Sequence, residues 1–318
     1  EKIHSEMIQS GLHVLCALLA LQSLVVNADK KGSEKKGGKG LRKVNSLKIN
    51  LPYDLFNENS RDWRVAAPES SQTLMNKGGG YSKLSRAQDK EDIWLYENWF
   101  YGKERGVIVE SGALDGMMYS TTHMFEKFAK WTPVHIEADP RNYFKLVRQR
   151  EKGININAAL CGEPKLLHYT NDDGGQIQGF VEFMSPSFIR KWHKGIHKGT
   201  TKIEDLPTVQ CVQMKKIMRE INVKHIDIWI LDVEGAEQAV LEGTNFQELD
   251  VSTVVMECDH HDEEKDQKKR DILESNGFEC QEVERNCFCK HVSFTPSAMP
   301  VEKQLYSSYR DAAGPKLH

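Results

Sequence analysis

Several features that announce common functional classes are missing from this chain of 318 residues. No sign of charge dominates: 43 lysines and arginines face 46 acids, a formal balance of −3. Such a chain has no global field drawing it to nucleic acid or to an anionic surface, and no nucleic-acid partner is expected. The 7 cysteines contain no Cys-x-x-Cys pair and no finger-like spacing, which argues against structural zinc. Neither an Asn-x-Ser/Thr sequon nor an internal repeat occurs. Ser111, Ser120 and Ser185 lack a nucleophile-elbow context, which argues against a hydrolase.

Long apolar runs are also missing, with one exception. Gly11 to Val26 is a predominantly apolar run but shorter than the roughly 20 residues of a membrane span. Its length suits the core of a signal peptide, and Val26-Asn27-Ala28 offers small residues for cleavage. Lys30, Lys31, Lys35, Lys36 and Lys39 follow; for an uncleaved anchor they would favour a cytosolic body. The expectation is a signal peptide or short anchor over residues 1–28 and a place in the secretory pathway, in the ER or Golgi lumen or secreted. Membrane attachment through the apolar segment is the alternative. Beyond Cys16, six cysteines remain, an even number compatible with disulfides and equally with buried free thiols on strands.

Residues 29–87 read as a linker, Lys/Gly-rich over Asp29–Lys43, followed by a poorly defined N-terminal region. Residues 88–300 form the main domain and residues 301–318 a C-terminal tail. Gln88 to Tyr101 shows helical apolar spacing and should dock on that domain. Predicted strands are Val107–Glu110, Pro133–Ala138, Ile154–Leu160, His225–Val233 and Ser252–Cys258, closed by the pair Phe278–Val283 and Cys287–Ser293. Predicted helices are Met117–Lys130, Arg141–Lys152, Val212–Asn222, Glu234–Gly243 and Asp262–Asn276. Most strands are continuously apolar, as when helices cover both faces. The alternation predicts an α/β doubly wound sheet, mostly parallel, with an antiparallel C-terminal strand. Gly162 to Asp205 breaks the rhythm and reads as an inserted hairpin, turning at Asp172-Asp173-Gly174-Gly175, plus a loop or short helix that faces substrate.

Chemistry concentrates where strands end. Glu110-x-Gly112-x-x-x-Gly116 follows the first strand; its glycines are four apart, unlike the dinucleotide pattern. Gly112 would let the backbone pass close to a ligand, Gly116 would permit the helix to begin, and Glu110 suits a cationic group. Glu137 ends the second strand, where an acid can accept both hydroxyls of a ribose, with Asp139 its neighbour. Asp232 and Glu234 lie where the fourth strand gives way to a helix; helix capping competes with a reactive role there, and Glu237 reads as structural.

Together these segments resemble the FkbM family of S-adenosylmethionine-dependent methyltransferases. The matching elements are Val109 to Gly116, Tyr119 to Thr122 with Phe125-Glu126, Ile136 to Pro140, Asn157-Ala158-Ala159, and Asp232 to Glu237. Glu182 to Ser187 looks like the version found in animal members. Leu231 departs from the pattern, standing where many members carry Lys before the Asp. The resemblance covers roughly Asp92 to Ser293 and implies a Rossmann-like class I methyltransferase sheet. It implies S-adenosyl-L-methionine as cofactor, held by Glu110, Gly112, Asp115, Gly116, Glu137 and Ala158: methionine at Glu110 and Gly112, ribose at Glu137, adenine at Ala158. Asp232, Glu234 and His260 are the acids and bases placed to act on the acceptor, with His261 beside them.

The expected activity is O-methylation of a small molecule, sugar or glycan hydroxyl. A catalytically inactive secretory or membrane-associated binding protein keeping the fold, as in Star-like animal proteins, is the alternative. Asp232 with Asp259 could hold a divalent metal, but the resemblance calls for none and no metal ligand is assigned. Arg190, Lys191, His193, Lys194, His197 and Lys198 form a local basic stretch, read as a solvated face that could guide an acidic acceptor.

Overall fold

The computed structural model describes residues 48–50, 69–170, 178–258 and 262–308, all within one compact unit, Val44–His318. The apolar segment Gly11–Val26, the linker Asp29–Lys43, the turn Asp172–Gly175, and Asp259, His260 and His261 lie outside the described residues. Among the described residues, twelve strands build the two larger sheets, beside a small pair, Glu69–Ser70 with Lys103–Glu104: β1 (Lys48–Asn50), β2 (Val107–Ser111), β3 (Thr132–Glu137), β4 (Ile154–Asn157), β5 (Ala159–Leu160) and β6 (Leu166–Thr170). They continue as β7 (Gly179–Phe180), β8 (Thr208–Val212), β9 (His225–Leu231), β10 (Asp250–Glu257), β11 (Phe278–Val283) and β12 (Asn286–His291). The main sheet runs β1-β4-β3-β2-β9-β10-β12-β11. From β4 to β10 all neighbours are parallel; β12 is antiparallel to β10 and β11 to β12, as expected from the sequence. On the far edge β1 pairs antiparallel with β4.

Strand alternation explains the unbroken apolar runs. Val107 and Val109 of β2 enter one core with Trp229 and Leu231 of β9 and Val254 and Met256 of β10. Ile108, Ile228, Ile230 and Val255 enter the core on the opposite face. Both faces of the sheet are therefore buried, and both must be apolar. Helices α5 (Met214–Glu220), α6 (Glu237–Glu242) and α7 (Glu263–Ser275) cover the first face through Met214, Ile217, Val240, Leu241 and Leu273. Helices α1 (Glu91–Asn98) and α2 (Thr122–Ala129) cover the second through Ile93, Leu95, Met124 and Phe125, so the predicted N-terminal helix does dock. Helix α3 (Pro140–Gln149) connects β3 to β4.

Four sequence expectations are corrected. The run Ile154–Leu160 is two strands: Asn157 Nδ2 donates to Glu137 O at 2.8 Å, the chain turns at Ala158, and β5 joins the second sheet, β5-β8-β6-β7. Val212 ends a strand of that sheet rather than opening a helix. Helix α2 starts only at Thr122, because Asp115 accepts from the amides of Met117 and Met118 and Tyr119 is left-handed, with φ 57°. Helix α6 starts at Glu237, because Glu234 and Gly235 have φ of 53° and 95°. The expected insert is a hairpin of β6 and β7 followed by short helix α4 (Pro186–Trp192), but β8 also belongs to it. All six remaining cysteines pair: Cys161–Cys211, Cys258–Cys287 and Cys280–Cys289.

Below the loop that follows β2 lies a buried ionic network. The Arg150 side chain is fully buried and donates to Glu126 Oε2 (2.5 and 2.8 Å), Gly116 O (2.7 Å), Ser120 Oγ (2.9 Å) and Thr122 Oγ1 (3.1 Å). Ser120 Oγ, Thr121 N and Thr122 Oγ1 in turn donate to the Glu110 carboxylate. One guanidinium thus offsets two carboxylates and fixes the loop from Gly116 to Thr122. Arg150→Met leaves Glu110 and Glu126 without that charge and is expected to cost about 3–5 kcal/mol of folding stability. A urea midpoint equal to that of the unaltered protein would show that the guanidinium does not hold the loop.

A second network sits at the opposite ends of the strands. His225 lies 3.1 Å from Asp227 and 2.8 Å from Asp250. Burial alone would lower its pKa, but the hydrogen bonds and charges of the two carboxylates prevail and raise it from 6.5 to about 9. A raised histidine stabilises the fold fully below its unfolded value and loses that contribution as pH climbs through the folded value. Stability should therefore decline between about pH 6.5 and 9, and His225→Gln should flatten this decline in urea titrations across that window.

Candidate active site

Parallel pairing brings the reactive segments together. Ser111 of β2 lies opposite Leu231 of β9 and Ile136 of β3, so the chain leaves three adjacent strands at one edge. Gly112, with φ 86°, sits against the neighbouring backbone: a Cβ there would lie 1.8 Å from Asp232 O. The glycine is required first by the protein's own crossing, not only by a ligand's approach. Gly116, with φ 79°, plays a similar part below, where a Cβ would lie 2.5 Å from Leu146 Cδ1 and 2.7 Å from Arg150 Cγ.

Above this edge opens a cavity of about 370 Å³, within the range of small-molecule sites. Glu110, Gly112, Glu137, Ala158, Asp232 and Glu234 all line it. Asp115 and Gly116 do not: Asp115 caps the turn before α2, and Gly116 packs on Arg150. Their position one turn past Gly112 directs them into the fold rather than toward a ligand. Glu110 reaches the wall, and its carboxylate accepts from Ser120 and Thr122 at Oε2 and from Thr121 N at Oε1. His260 lies outside the described residues, as does Asp259 of the metal alternative.

Glu137 organises the first loop from the end of β3. Its Oε2 accepts from Leu114 N at 2.7 Å and its Oε1 from Asp139 N at 2.8 Å. Burial raises its pKa to about 8, although these two amides favour the ionised form. Asp232 is exposed into the cavity. Desolvation, then the charges of Glu237 and Glu110, raise its pKa, with Arg285 opposing. Glu91, at the start of α1, is raised by burial to about 7 and also faces the cavity. Crowded acids in a poorly solvated pocket favour a cationic ligand, whose charge would relieve both repulsion and desolvation.

The turn carrying Asp232 and Glu234 is braced from behind. Glu237 Oε1 accepts from Val233 N and Gly235 N, which bears out its structural reading. Lys265 of α7 donates to Gly235 O at 2.5 Å and to Phe183 O at 2.6 Å, tying the turn to the insert.

Some lining residues escaped the sequence reading. Arg285 and Asn286 come from the hairpin between β11 and β12; Arg285 pairs with Asp89 and Glu257, and Asn286 donates to Glu91 at 3.1 Å. A turn flanked by cysteines carried the only signal for them. Phe188 and Trp192 of α4 also line the cavity, together with Lys191 of the basic stretch noted in the sequence, and the i, i+3, i+4 spacing of the three was a readable sign of a shared face.

No curated protein matches the chain significantly. Among solved structures, fibrillarin from Methanococcus jannaschii, described as a pre-rRNA processing protein, is similar at 13% identity and a TM-score of 0.31, covering 58% of this chain and 64% of that one. Fibrillarin from Aeropyrum pernix, in complex with natively bound S-adenosyl-L-methionine, is similar at 14% identity and a TM-score of 0.32, covering 59% and 66%. The matched region spans a little under two thirds of each of these proteins. A precorrin-6y C5,15-methyltransferase from Geobacter metallireducens is similar at 9% identity and a TM-score of 0.31, covering 70% and 91%. The family description "Methyltransferase FkbM domain" matches residues 110–280, more than half of the chain and the whole span from Glu110 through the hairpin strand β11 as far as Cys280. The chain belongs to the FkbM methyltransferase domain family.

Proposed function

We propose that this protein is an S-adenosylmethionine-dependent methyltransferase acting on a hydroxyl of a small molecule, sugar or glycan. The observation that carries this reading is the acid-lined cavity where β2, β3 and β9 end together. When bound, the cofactor supplies an electrophilic methyl group on a cationic sulfur. The donor set fits it. Glu137 retains a lone pair on each oxygen for the ribose hydroxyls beyond its two backbone partners. Ala158 and Leu160 offer an apolar wall for adenine. Gly112 and the acids around it, Glu110 among them, suit the methionine ammonium. Asp232, held above its ordinary pKa and open to the cavity, is placed to take the acceptor's proton, with Glu234 beside it.

A place in the secretory pathway is part of this proposal, with membrane anchoring as the alternative. Three disulfides suit an oxidising compartment, and the apolar run Gly11–Val26 suits a signal peptide. Among the described residues no helix is long and apolar enough to cross a membrane.

Calorimetric titration of the full chain should show S-adenosylmethionine and its demethylated product binding, and NAD not binding. Binding without label transfer from methyl-labelled cofactor to any species in a cell extract would favour the inactive binding protein. Glu137→Ala should weaken binding by about 1–3 kcal/mol, the cost of unmet buried hydroxyls. Methylthioadenosine, which lacks the amino-acid part, isolates the nucleoside contacts. Because hydroxyl donors favour the ionised carboxylate, its affinity should rise as pH climbs through about 8, and Glu137→Gln should flatten that rise. Equal affinity of wild type and Glu137→Ala would remove Glu137 from the ribose role.

A further inference from the structure

One stretch of the insert is basic out of proportion to the chain. From Phe188 to Lys202 no acid occurs, whereas Arg190, Lys191, Lys194, Lys198 and Lys202 do, in a protein of formal charge −3. All five side chains are exposed. Among the described residues, the ion pairs pass from His168–Glu182 to Lys215–Glu248 and leave out Arg190, Lys194, Lys198 and Lys202. The stretch covers the end of α4, a second short helix (Lys194–His197) and the turn after it, and no acid stands among its bases, where a solvated surface would normally mix both signs.

The ridge adjoins the cavity. Phe188, Lys191 and Trp192 line it, while Arg190 and Lys194 do not. Trp192 keeps 39% of its surface exposed, and Lys191 Nζ lies 4.7 Å from its ring centroid. Aromatic surface, a cation and the amides of Asn142 and Gln178 therefore share one wall.

We propose that this ridge and the adjoining wall bind an acidic glycan, its sulfate or carboxylate groups along Arg190, Lys194 and Lys198 and a sugar ring against Phe188 and Trp192. The inference rests on the methyltransferase reading for the identity of the acceptor, though not for the binding itself. A row of cations recognises a row of anions. Aromatic faces pack on the apolar face of a sugar ring while amides and acids meet its hydroxyls. A concave cavity beside the ridge suits a chain with pendant rings better than a flat lipid surface. Three disulfides suit a compartment whose polyanions are glycans rather than nucleic acids.

The test is binding of the full chain to a heparin oligosaccharide and a hyaluronan oligosaccharide. The comparison probes are neutral dextran, single-stranded DNA of matched charge, and phosphatidylserine vesicles. At least one acidic glycan should bind more tightly than all three comparison probes, with affinity falling as salt rises. The combined variant Arg190→Gln, Lys194→Gln, Lys198→Gln should lose about tenfold or more in affinity and show a shallower salt dependence. Trp192→Ala should weaken glycan binding while leaving DNA binding unchanged. The demethylated cofactor product, titrated in parallel, should bind the combined variant as it binds the unaltered chain. DNA or vesicles binding as tightly as the glycans, or a combined variant that binds them undiminished, would overturn the proposal. Glycan binding at the ridge without any cofactor-product binding would instead remove the methyltransferase reading and leave the ridge assignment standing.

Discussion

The guanidinium of Arg150 is the contact on which the site's geometry rests. It is fully buried and reaches the loop after β2 through Gly116 O, Ser120 and Thr122 while also meeting Glu126. Without it, the buried Glu110 carboxylate would lose its compensating charge, and Glu126 would keep only the exposed Lys127. With it, the loop holds two left-handed non-glycine residues, Leu114 and Tyr119, both on the cavity wall. Such backbone is costly and persists only where neighbours over-determine it. Arg150, Glu137 and the Asp232 carbonyl supply that determination from below, from the side and from across.

The same logic governs the other half of the cavity. Glu234 and Gly235 are both left-handed, and Glu237 and Lys265 grip the turn from opposite sides. Neither Glu237 nor Lys265 lines the cavity, so the turn is braced while Asp232 stays open to a ligand. The raised pKa values of Glu137 and Asp232 follow from crowding and desolvation, the conditions that make a cation a welcome occupant.

Where burial is two-sided and continuous, the sequence shows the fold plainly. Phe278–Val283 forms a strand with the predicted bounds, and β2, β3, β9 and β10 lie within a residue or two of theirs. Strand β8 was not legible, because Thr208–Val212 is half exposed and its partners come from remote segments. The break at Ala158 was hidden for a related reason. Ile154 to Leu160 stays apolar enough on either side to read as one strand, and only the Asn157 amide, bonded to Glu137 O, marks the turn. Helix starts were placed early wherever left-handed residues or an Asp cap intervened. Of the site, the strand-end acids were legible because topology alone brings them together. The part played by Arg150 was not, since an arginine near the end of a polar helix reads as surface until its partners are seen.

The insert completes the site from the side opposite the sheet. It leaves β5 and returns through β8, which pairs with β5, so its base is anchored by strand pairing and by Cys161–Cys211. Lys265 anchors its far end by holding Phe183 O and Gly235 O together. The wall formed by Phe180 and Phe188 is thereby fixed relative to Asp232 at two points, one covalent and one hydrogen-bonded. A binding wall fixed in this way loses little freedom when a ligand arrives, so more of the contact energy remains for selectivity. The exposed edge of that wall, at Lys191 and Trp192, lines the same cavity as Asp232. The sheet end provides the acids, and the insert provides the aromatic and basic surface that shares their cavity.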